Sequence, residues 1–494
     1  MKDDSVAARL DRLPITRMHL IAVLVIGLGM FFDLYEVFLA GTISTALKDD
    51  FHVGAGQLKP LLASAFVGAF VGAVVMSRIA DRLGRRRAFY LTLAVYSVFS
   101  VLAAFSPNVE MLIACRFLAG LGIGGELPLC DAYLSDLLPA RHRGRLIGWA
   151  YTVGFCGVPL AGFLALGIVP HSYAGIDGWR WMFLIGGLGA AVCWILRRNL
   201  PESPRWLESV GRHAEADRIV RVFEKSAHLS PVTRPVPGPA PTSPQRAPLR
   251  RLIEPPWRTR TLMLAVFQVL QVFGYYGFGT LAPLVLADKG YDIVHSLTFS
   301  ALSFIGYPVG SLLSVGILER VERKTLIMLS AFAMLAFGLG FGYAHHTATI
   351  VAFGFCYTVV SNLFSNAYHV YQGELFPTRL RATGAGSAYS LSRLASAVMP
   401  YVLLPLLLDH GPDAVFAFIA CAMALVILDI GLLGPRTTGR TLEELTRVPS
   451  TTAADGTDTG ARTDSADSTG SGDGTDSAAS TNGPDVTVDA AHDV

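Results

Sequence analysis

The sequence predicts an all-α membrane protein with twelve transmembrane helices. Of its 494 residues, 52% are hydrophobic and only 16% are charged, whereas roughly a quarter of the residues of a soluble protein are charged. Apolar runs of about twenty residues, the length that crosses roughly 30 Å of hydrocarbon, recur along the chain. Arginine residues cluster in alternate loops between these runs. The net charge of +2 gives no reason to expect nucleic acid as a partner.

Twelve apolar runs have the length of a transmembrane helix. Because backbone polar groups inside a lipid bilayer must be satisfied internally, we expect each run to be a helix. The first run follows the polar segment from Met1 to Arg17 without a small-residue cleavage signature, so we interpret it as a membrane helix and not as a signal peptide. The predicted helices cover residues 18–40, 60–79, 88–105, 109–131, 145–168, 179–196, 261–286, 297–318, 325–344, 348–371, 383–407 and 413–433.

The distribution of arginine predicts the orientation of the chain. The loop after the second helix contains Arg82, Arg85, Arg86 and Arg87. Each arginine costs a few kcal/mol at the centre of a bilayer, and loops rich in Lys and Arg stay in the cytoplasm. The other loops after even-numbered helices repeat this enrichment, with Arg141, Arg143, Arg145, Arg197, Arg198, Arg320, Arg323, Lys324, Arg379 and Arg381. We therefore expect a multi-pass protein of the plasma (inner) membrane with both termini in the cytoplasm.

A long polar segment divides the chain into two halves. It covers residues 200–258, and its part from Pro231 to Pro256 is rich in Pro, Thr and Arg, which is typical of an irregular linker. We expect one six-helix bundle in residues 1–199 and another in residues 259–446. The tail at 447–494 consists mostly of Ser, Thr, Asp, Gly and Ala, and it is predicted to be disordered because it has too few large apolar residues to fold.

The two halves repeat one pattern of charges. Asp81 to Arg86 and Glu319 to Lys324 share an acidic-basic-x-x-basic-basic spacing, each at the end of the second helix of its half. Parallel repeats of this kind are found in one class of secondary transporter. The predicted architecture is therefore two pseudo-symmetric six-helix bundles.

Six short motifs occur in order at or near the ends of the predicted helices. They are Ala80–Arg87, Arg116–Pro128, Asp136–Gly144, Pro201–Leu207, Glu374–Thr378 (with Arg381 and Gly384) and Gly439–Leu445. Through these motifs, residues 18–446 resemble the major facilitator superfamily, in particular its sugar-porter-like and metabolite:proton symporter branches. The Gly-Gly-Glu-Leu-Pro sequence that ends the second motif, and Arg393, are more similar to niacin and aromatic-acid transporters. The resemblance implies the major facilitator fold and a monomeric transporter in the lipid bilayer, with no enzymatic activity and no cofactor.

Four ionisable residues are candidates for proton coupling. Asp33 and Glu36 lie three residues apart in the middle of the first helix, and Arg116 and Glu126 lie in the fourth. Ionisable side chains inside a bilayer are costly and usually functional, and a carboxyl group removed from water can exchange a proton near neutral pH. By resemblance to sugar symporters, protonated Glu36 would release Arg116, and deprotonated Glu36 would pair with it again. The alternatives are a static ion pair between the two helices and, for Glu126, a structural pair with a cytoplasmic arginine.

Arg393 is the main candidate for binding the substrate. It lies about ten residues into the eleventh helix, near the middle of the membrane, and its guanidinium suits a carboxylate. The alternative is a structural pair with an acid such as Asp33. Further candidates are polar side chains of the seventh and tenth helices, namely Gln268, Gln271, Tyr275, Tyr357, Asn362 and Asn366. Such side chains also form hydrogen bonds between helices, so a structural role is the alternative for all of them and is favoured for His369.

Charged residues of the cytoplasmic loops are predicted to form a gate of salt bridges. We expect these bridges to close the cytoplasmic face in the outward-open state and to separate as the two halves rock. The predicted gate consists of Asp81, Arg82, Arg85, Arg86, Asp136, Arg143, Glu202, Arg205, Glu374 and Arg381.

The favoured functional hypothesis is proton-coupled uptake of a small organic anion, such as nicotinate or a benzoate. A sugar or polyol symporter is the alternative, favoured by Pro201–Leu207 and by the pair Gln268 and Gln271. Export of a drug or metabolite, and nutrient sensing without transport, are further alternatives. No GxxxxGK[ST] sequence occurs, so ATP-driven transport is not expected. The six cysteines show no CxxC spacing, and we expect neither a metal site nor a disulfide.

Overall fold

Long apolar helices make up most of the molecule. The structure, a computed structural model, describes residues 6–227, 249–255, 257–318, 320–376 and 378–437. Eleven helical segments of this part are long and apolar enough to cross a membrane, and the last of them, Gly386–Leu433, is two helices joined at Gly411. Gly411 has a φ of 80°, which glycine adopts without strain, so the chain turns there. Twelve transmembrane helices therefore lie within the described residues, as predicted.

The N-terminal half contains six membrane helices and four short helices. The membrane helices are α2 (Arg17–Thr42), α4 (Ala55–Leu83), α5 (Arg85–Ala104), α6 (Val109–Leu137), the pair α7 (Arg143–Phe155) and α8 (Gly157–Ile168), and α9 (Gly178–Arg197). The short helices are α1 (Val6–Asp11), α3 (Ser44–Asp50), α10 (Pro204–Ser209) and α11 (His213–Ser226). A small antiparallel hairpin, β1 (Ser172–Tyr173) and β2 (Ile176–Asp177), joins α8 to α9, so the chain is not purely helical.

The C-terminal half repeats the arrangement of six membrane helices. They are α12 (Trp257–Asp288), the pair α13 (Ile293–Phe304) and α14 (Gly306–Ile317), α15 (Arg323–Tyr343), α16 (Thr347–Glu374), and the two parts of α17 (Thr378–Leu433) on either side of Gly411. Glu319, the closing motif Gly439–Leu445, residues 228–248 of the predicted linker, the predicted tail and the side chain of Arg381 lie outside the described residues.

The polar segment after α9 contains two helices, α10 and α11, that the sequence analysis did not assign. On α11, Val220 and Phe223 are buried in the same cluster as Leu10 of α1. The Arg9 guanidinium donates to both carboxylate oxygens of Glu224 at 2.8 Å and to Asp217 at 2.7 Å. An amphipathic face and a buried ion pair therefore hold the N-terminal helix against α11.

Glycine residues allow α4 and α6 to pack backbone against backbone. A Cβ added at Gly124 would lie 2.1 Å from the carbonyl oxygen of Ala69, and one added at Gly120 would lie 2.3 Å from that of Ala65. In the same way, a Cβ added at Gly68 of α4 would lie 2.0 Å from the carbonyl oxygen of Phe117 in α6. Small residues at such positions let membrane helices approach closely, and here they fix α6, which carries Glu126, against α4.

At one end of the molecule, α4 meets α5 and the arginines from Arg82 to Arg87 lie together. We call this the arginine-rich end and the opposite one the arginine-poor end. The two halves touch at the arginine-poor end. At the end of α2, a Cβ on Gly41 would lie 2.6 Å from the backbone of Thr280 in α12. On α8, a Cβ on Gly162 would lie 2.8 Å from Cα of Ala301. The halves are therefore closed against each other at this end, and a cavity separates them towards the other.

Candidate functional site in the cavity between the halves

A cavity of about 630 Å³ lies between the two halves and extends to the arginine-rich end, where Arg145 and Arg323 line it. Its volume is in the range of small-molecule sites, roughly 300–1,000 Å³. The aromatic side chains in its wall are Tyr151, Phe155, Tyr275, Tyr276, Tyr368 and Tyr389. The other polar or charged side chains in the wall include Asp131, Ser365, Asn366, His369, Gln372 and Arg393.

Arg393 lies in the cavity wall between two tyrosines. Its Nη1 donates a 2.9 Å hydrogen bond to the hydroxyl of Tyr276 on α12, and its Nη2 donates to the hydroxyl of Tyr389 one turn earlier on α17. The guanidinium carbon also lies 5.4 Å and 4.7 Å from the centres of these two rings. Among the described residues, no carboxylate lies within salt-bridge distance of Arg393. The tyrosines thus orient a buried cation that has no anion beside it.

Asp33 shares a second, much smaller cavity with Arg393. This cavity has a volume of about 20 Å³ and is lined by residues of α2, α4, α6, α12 and α17. A volume of this size holds about one water molecule. Leu34, Leu127, Tyr276 and Arg393 line both cavities, so the small one adjoins the large one. The acid of α2 and the base of α17 therefore face one space at the interface of the halves.

Asp33 differs from Glu36 and Glu126, the other acids predicted to couple protons, in having no partner. Its residue exposure is 1%, and neither carboxylate oxygen accepts a hydrogen bond from the part of the chain that the structure describes. A buried, unpaired carboxylate is very unfavourable, whereas a neutral carboxylic acid costs much less to bury. The surroundings of Asp33 therefore favour the protonated acid in this conformation.

Glu36, one turn further along α2, pairs with Arg116. Nη1 of Arg116 lies 3.6 Å from Oε1 of Glu36, and both side chains are 2% exposed. The hydroxyl of Ser100 donates to Oε2 of Glu36 at 3.1 Å. The guanidinium lies 5.8 Å from the ring centre of Phe183. This pair joins α2, α5 and α6 in the interior of the N-terminal half.

Glu126 pairs with Arg197, the last residue of α9. Nη1 of Arg197 donates to Oε1 of Glu126, and each side chain is 1% exposed. The hydroxyl of Thr92 donates to the other oxygen of Glu126 at 2.7 Å. The guanidinium stacks on Phe89 at 4.4 Å from the ring centre. Gly29 leaves space for it, because a Cβ there would lie 1.7 Å from Nη2.

The remaining side chains predicted to bind substrate divide into two groups. Tyr275 and Asn366 line the cavity, and Nδ2 of Asn366 donates to Oγ of Ser314 at 2.6 Å. The other four make hydrogen bonds inside the C-terminal half and are not among the residues that line this cavity. These contacts run from Gln268 to Gln372 at 3.0 Å, from Gln271 to Gln268 at 3.2 Å, from Tyr357 to the Gly274 carbonyl at 2.7 Å and from Asn362 to the Tyr307 carbonyl at 2.7 Å.

Of the predicted gate residues whose side chains the structure describes, eight lie in the N-terminal half and one, Glu374, lies in the C-terminal half. Arg85 contacts Asp81 at 2.9 Å and Asp136 at 3.7 Å, and Glu202 accepts from the backbone N–H of Arg85 at 2.9 Å. Arg86 donates to the carbonyl of Arg198 at 2.8 Å, and Arg82 is exposed.

Asp11 joins two further residues of the predicted gate. It accepts from Arg205 at 2.9 Å and lies 3.8 Å from Arg143. In the C-terminal half, Glu374 lies 3.5 Å from Arg323. The contacts named here stay within one half, in a conformation whose cavity extends between the halves at this end.

Comparison with known proteins identifies the family. A family model described as sugar (and other) transporter matches residues 22–448. The chain belongs to this family. The niacin transporter NiaP of Acinetobacter baylyi is 31% identical over 442 residues, covering 89% of this chain and 99% of the relative. The gentisate transporter of Corynebacterium glutamicum is 28% identical over 431 residues, covering 85% of this chain and 89% of the relative.

A solved structure of the same fold is that of the xylose transporter XylE from E. coli in a partially occluded inward open conformation. It has a TM-score of 0.70 at 21% identity, covering 86% of this chain and 99% of that chain. The family model and the relatives confirm the predicted superfamily, and the solved structure confirms the predicted fold. This member of the sugar (and other) transporter family is a multi-pass membrane transporter of small molecules and not an enzyme.

Four residues that the sequence analysis did not select are central to the site of this transporter. Arg197 was counted only as a loop arginine, yet it is buried against Glu126. Tyr276 and Tyr389 hold Arg393, and Asp131 lines the large cavity. Asp131 carries the signal that would have found it, an acid in an apolar run five residues after Glu126. No signal of this kind distinguishes the two tyrosines from other aromatic residues of the membrane helices.

Proposed function

We propose that the protein is a proton-coupled importer of a small aromatic or heterocyclic carboxylate that works by alternating access. The observation that carries this proposal is Arg393, a buried guanidinium in the central cavity that tyrosines orient and that no described carboxylate neutralises. A carboxylate substrate would supply the missing anion in bidentate geometry. The aromatic wall of the cavity suits a ring. The niacin and gentisate transporters among the relatives support the same class of substrate.

In this proposal the arginine-rich end faces the cytoplasm. The positive-inside rule supports that orientation, since the loop with Arg82, Arg85, Arg86 and Arg87 lies at this end. The cavity extends to the same end, and the halves are closed at the other. The conformation is then inward-facing, with the termini in the cytoplasm. Rocking of the two halves would close this end and open the other.

Asp33 is the residue that we propose to carry the transported proton. Glu36 and Glu126 each have an arginine beside them, whereas Asp33 has no partner and faces Arg393 across a small cavity. With Asp33 protonated, the whole charge of Arg393 is available to the substrate carboxylate. When the proton leaves towards the cytoplasm, the Asp33 carboxylate competes for Arg393 and favours release of the substrate. Proton and substrate therefore move together.

A sugar or polyol symporter is the second candidate, and one observation favours it. Gln268, Gln271 and Gln372 form a chain of amide hydrogen bonds, and Gln372 reaches the cavity wall. Amide groups of this kind suit hydroxyl groups, because each offers both a donor and an acceptor. A small rotation of α12 would expose more of the chain. This candidate predicts that Arg393 is structural.

Uptake into proteoliposomes with an imposed pH gradient tests both candidates. The substrates to screen are labelled nicotinate, benzoate and hydroxybenzoates against hexoses and inositol, with Asp33→Asn, Glu36→Gln and Arg393→Ala beside the wild type. We expect a carboxylate to accumulate, Arg393→Ala to lower its uptake about tenfold or more, and Asp33→Asn to abolish accumulation while exchange of substrate for substrate continues. Asp409→Asn makes the same chemical change at an exposed position of α17 and is the control. Accumulation of a sugar or polyol alone, with Arg393→Ala harmless, would refute the proposal.

A further inference from the structure

Asp131 places an acidic group in the central cavity, on the opposite half from Arg393. It lies on α6 and lines the large cavity. Its Oδ2 accepts a 3.0 Å hydrogen bond from the hydroxyl of Tyr151 on α7, which lines the cavity as well. Within the described ranges, no cation lies at salt-bridge distance from Asp131, and its Oδ1 accepts no hydrogen bond. A carboxylate can accept about four hydrogen bonds. Asp131 accepts one from Tyr151, so it can accept further hydrogen bonds from a molecule in the cavity.

Asp131 and Arg393 give the cavity two chemically distinct poles. The N-terminal half supplies an acceptor, Asp131 with Tyr151, and the C-terminal half supplies a donor, Arg393 with Tyr276 and Tyr389. Asp131, Tyr389 and Arg393 all line the same cavity. Tyrosine and phenylalanine rings form the wall between them. The site is thus complementary to a flat molecule with an anionic end and a hydrogen-bond donor at the other end.

We propose that Asp131 accepts a hydrogen bond from a ring hydroxyl of the substrate and that the transporter selects hydroxylated aromatic acids. The inference rests on the proposed function, because Arg393 must hold the carboxylate for the hydroxyl to reach Asp131. A phenolic hydroxyl, with a pKa of about 10, stays protonated at neutral pH and donates. The ring nitrogen of nicotinate at neutral pH is an acceptor and would face another acceptor. Benzoate has no group at that end to bind.

The test compares pairs of ligands in which a methoxy group replaces the hydroxyl, which keeps the oxygen, removes the donor and adds a methyl group; the variant described below separates the effect of the donor from that of size. Purified full-length protein in proteoliposomes is given 3- and 4-hydroxybenzoate, their methoxy counterparts, benzoate, nicotinate and salicylate, whose hydroxyl lies beside the carboxylate and cannot reach the opposite pole. We expect uptake of the better hydroxybenzoate to exceed that of its methoxy counterpart and of nicotinate about tenfold, the effect of one hydrogen bond to a charged group. Salicylate should behave like benzoate.

The variant Asp131→Asn keeps the size of the side chain and removes the charge. We expect it to reduce the hydroxy-to-methoxy preference to within about twofold, because a neutral amide accepts more weakly than a carboxylate. Asp409→Asn, at an exposed position, should keep the wild-type preference. If Asp131→Asn loses transport altogether, thermal stabilisation of the detergent-solubilised protein by the same ligands gives the preference without transport.

The outcomes separate this inference from the proposed function. Equal uptake of hydroxy and methoxy compounds by the wild type, preference for nicotinate, or an unchanged preference in Asp131→Asn would each overturn the role of Asp131 while leaving a carboxylate transporter in place. No uptake of any aromatic acid, with uptake of sugars or polyols instead, would overturn the proposed function and this inference together.

Discussion

The substitution Gly29→Ala tests whether Arg197 is fixed in its buried pair with Glu126. The methyl group would lie 1.7 Å from Nη2 and 2.6 Å from Cζ of Arg197. Since a Cβ needs at least 3.0 Å, the guanidinium must retreat by about 1.3 Å, the difference between 3.0 and 1.7 Å. Such a shift lengthens the contact of Arg197 with Glu126, whose other partners, the hydroxyl of Thr92 and the thiol of Cys130, are neutral.

The expected cost follows from two opposing contributions. Breaking a buried salt bridge costs about 3–5 kcal/mol, whereas replacing glycine by alanine inside a helix stabilises it by roughly 0.5–1 kcal/mol. Since the pair is stretched and not removed, we expect Gly29→Ala to lower the free energy of unfolding by up to about 4 kcal/mol. Thermal unfolding of the purified protein, followed by tryptophan fluorescence, should show a melting temperature several degrees below that of the wild type.

Two comparisons decide whether displacement of Arg197 causes the loss of stability in Gly29→Ala. Gly167→Ala on α8 adds the same methyl group where nothing lies within 4 Å, and it should not lower the melting temperature. In a protein that already carries Glu126→Gln and Arg197→Met, Gly29→Ala should cost little, because the pair it disturbs is gone. A melting temperature of Gly29→Ala equal to that of Gly167→Ala would refute the reasoning.

Three further predictions concern packing and charge elsewhere. Arg9→Ala should lower the free energy of unfolding by about 3 kcal/mol, because it leaves the buried Glu224 unpaired, and limited proteolysis should then cleave near the N-terminus. Burial raises the pKa of Asp217, but hydrogen bonds from Arg9 and Arg221 lower it more, so that pKa lies below its ordinary value. The ionised Asp217 therefore stabilises the folded protein above about pH 4, and this contribution is lost as the pH falls further. Below about pH 4, the melting temperature of Asp217→Asn should fall less steeply with pH than that of the wild type. Gly124→Ala should destabilise the protein, since the carbonyl of Ala69 lies 2.1 Å from the added Cβ, whereas the melting temperature of Gly316→Ala, with open space, should not fall.

Hydropathy predicted the membrane helices because crossing a bilayer is a local demand on about twenty consecutive residues. It could not predict how each helix is rotated about its axis. Arg197 and Arg198 follow each other at the end of α9, yet Arg197 turns inward to Glu126 while Arg198 lies at the surface beside Trp194. The sequence offers two equivalent loop arginines, and only the packing of α2, α5 and α6 decides which of them is buried.

The candidate site could likewise be predicted only in part from the sequence. Buried acids and Arg393 were recognisable because a charge in an apolar run requires an explanation. Their partners come from distant parts of the chain, as Tyr276 does for Arg393, and no local pattern marks such pairs. The helices α10 and α11 were missed for a different reason, because hydropathy finds only helices that cross the membrane. Their amphipathic surface is satisfied by α1 and the ends of the membrane helices.

The contact of Gly41 with the backbone of Thr280 has a practical consequence for the study of this transporter. Closure of the arginine-poor end depends on the absence of a single carbon atom at position 41, since a Cβ there would overlap main-chain atoms that have no rotamer to change. Replacing Gly41 by a residue with a branched side chain would therefore penalise the conformation in which this end is closed. Such a variant would bias the population towards the opposite conformation, which would suit experimental structure determination of that state and conformation-selective binders raised against it.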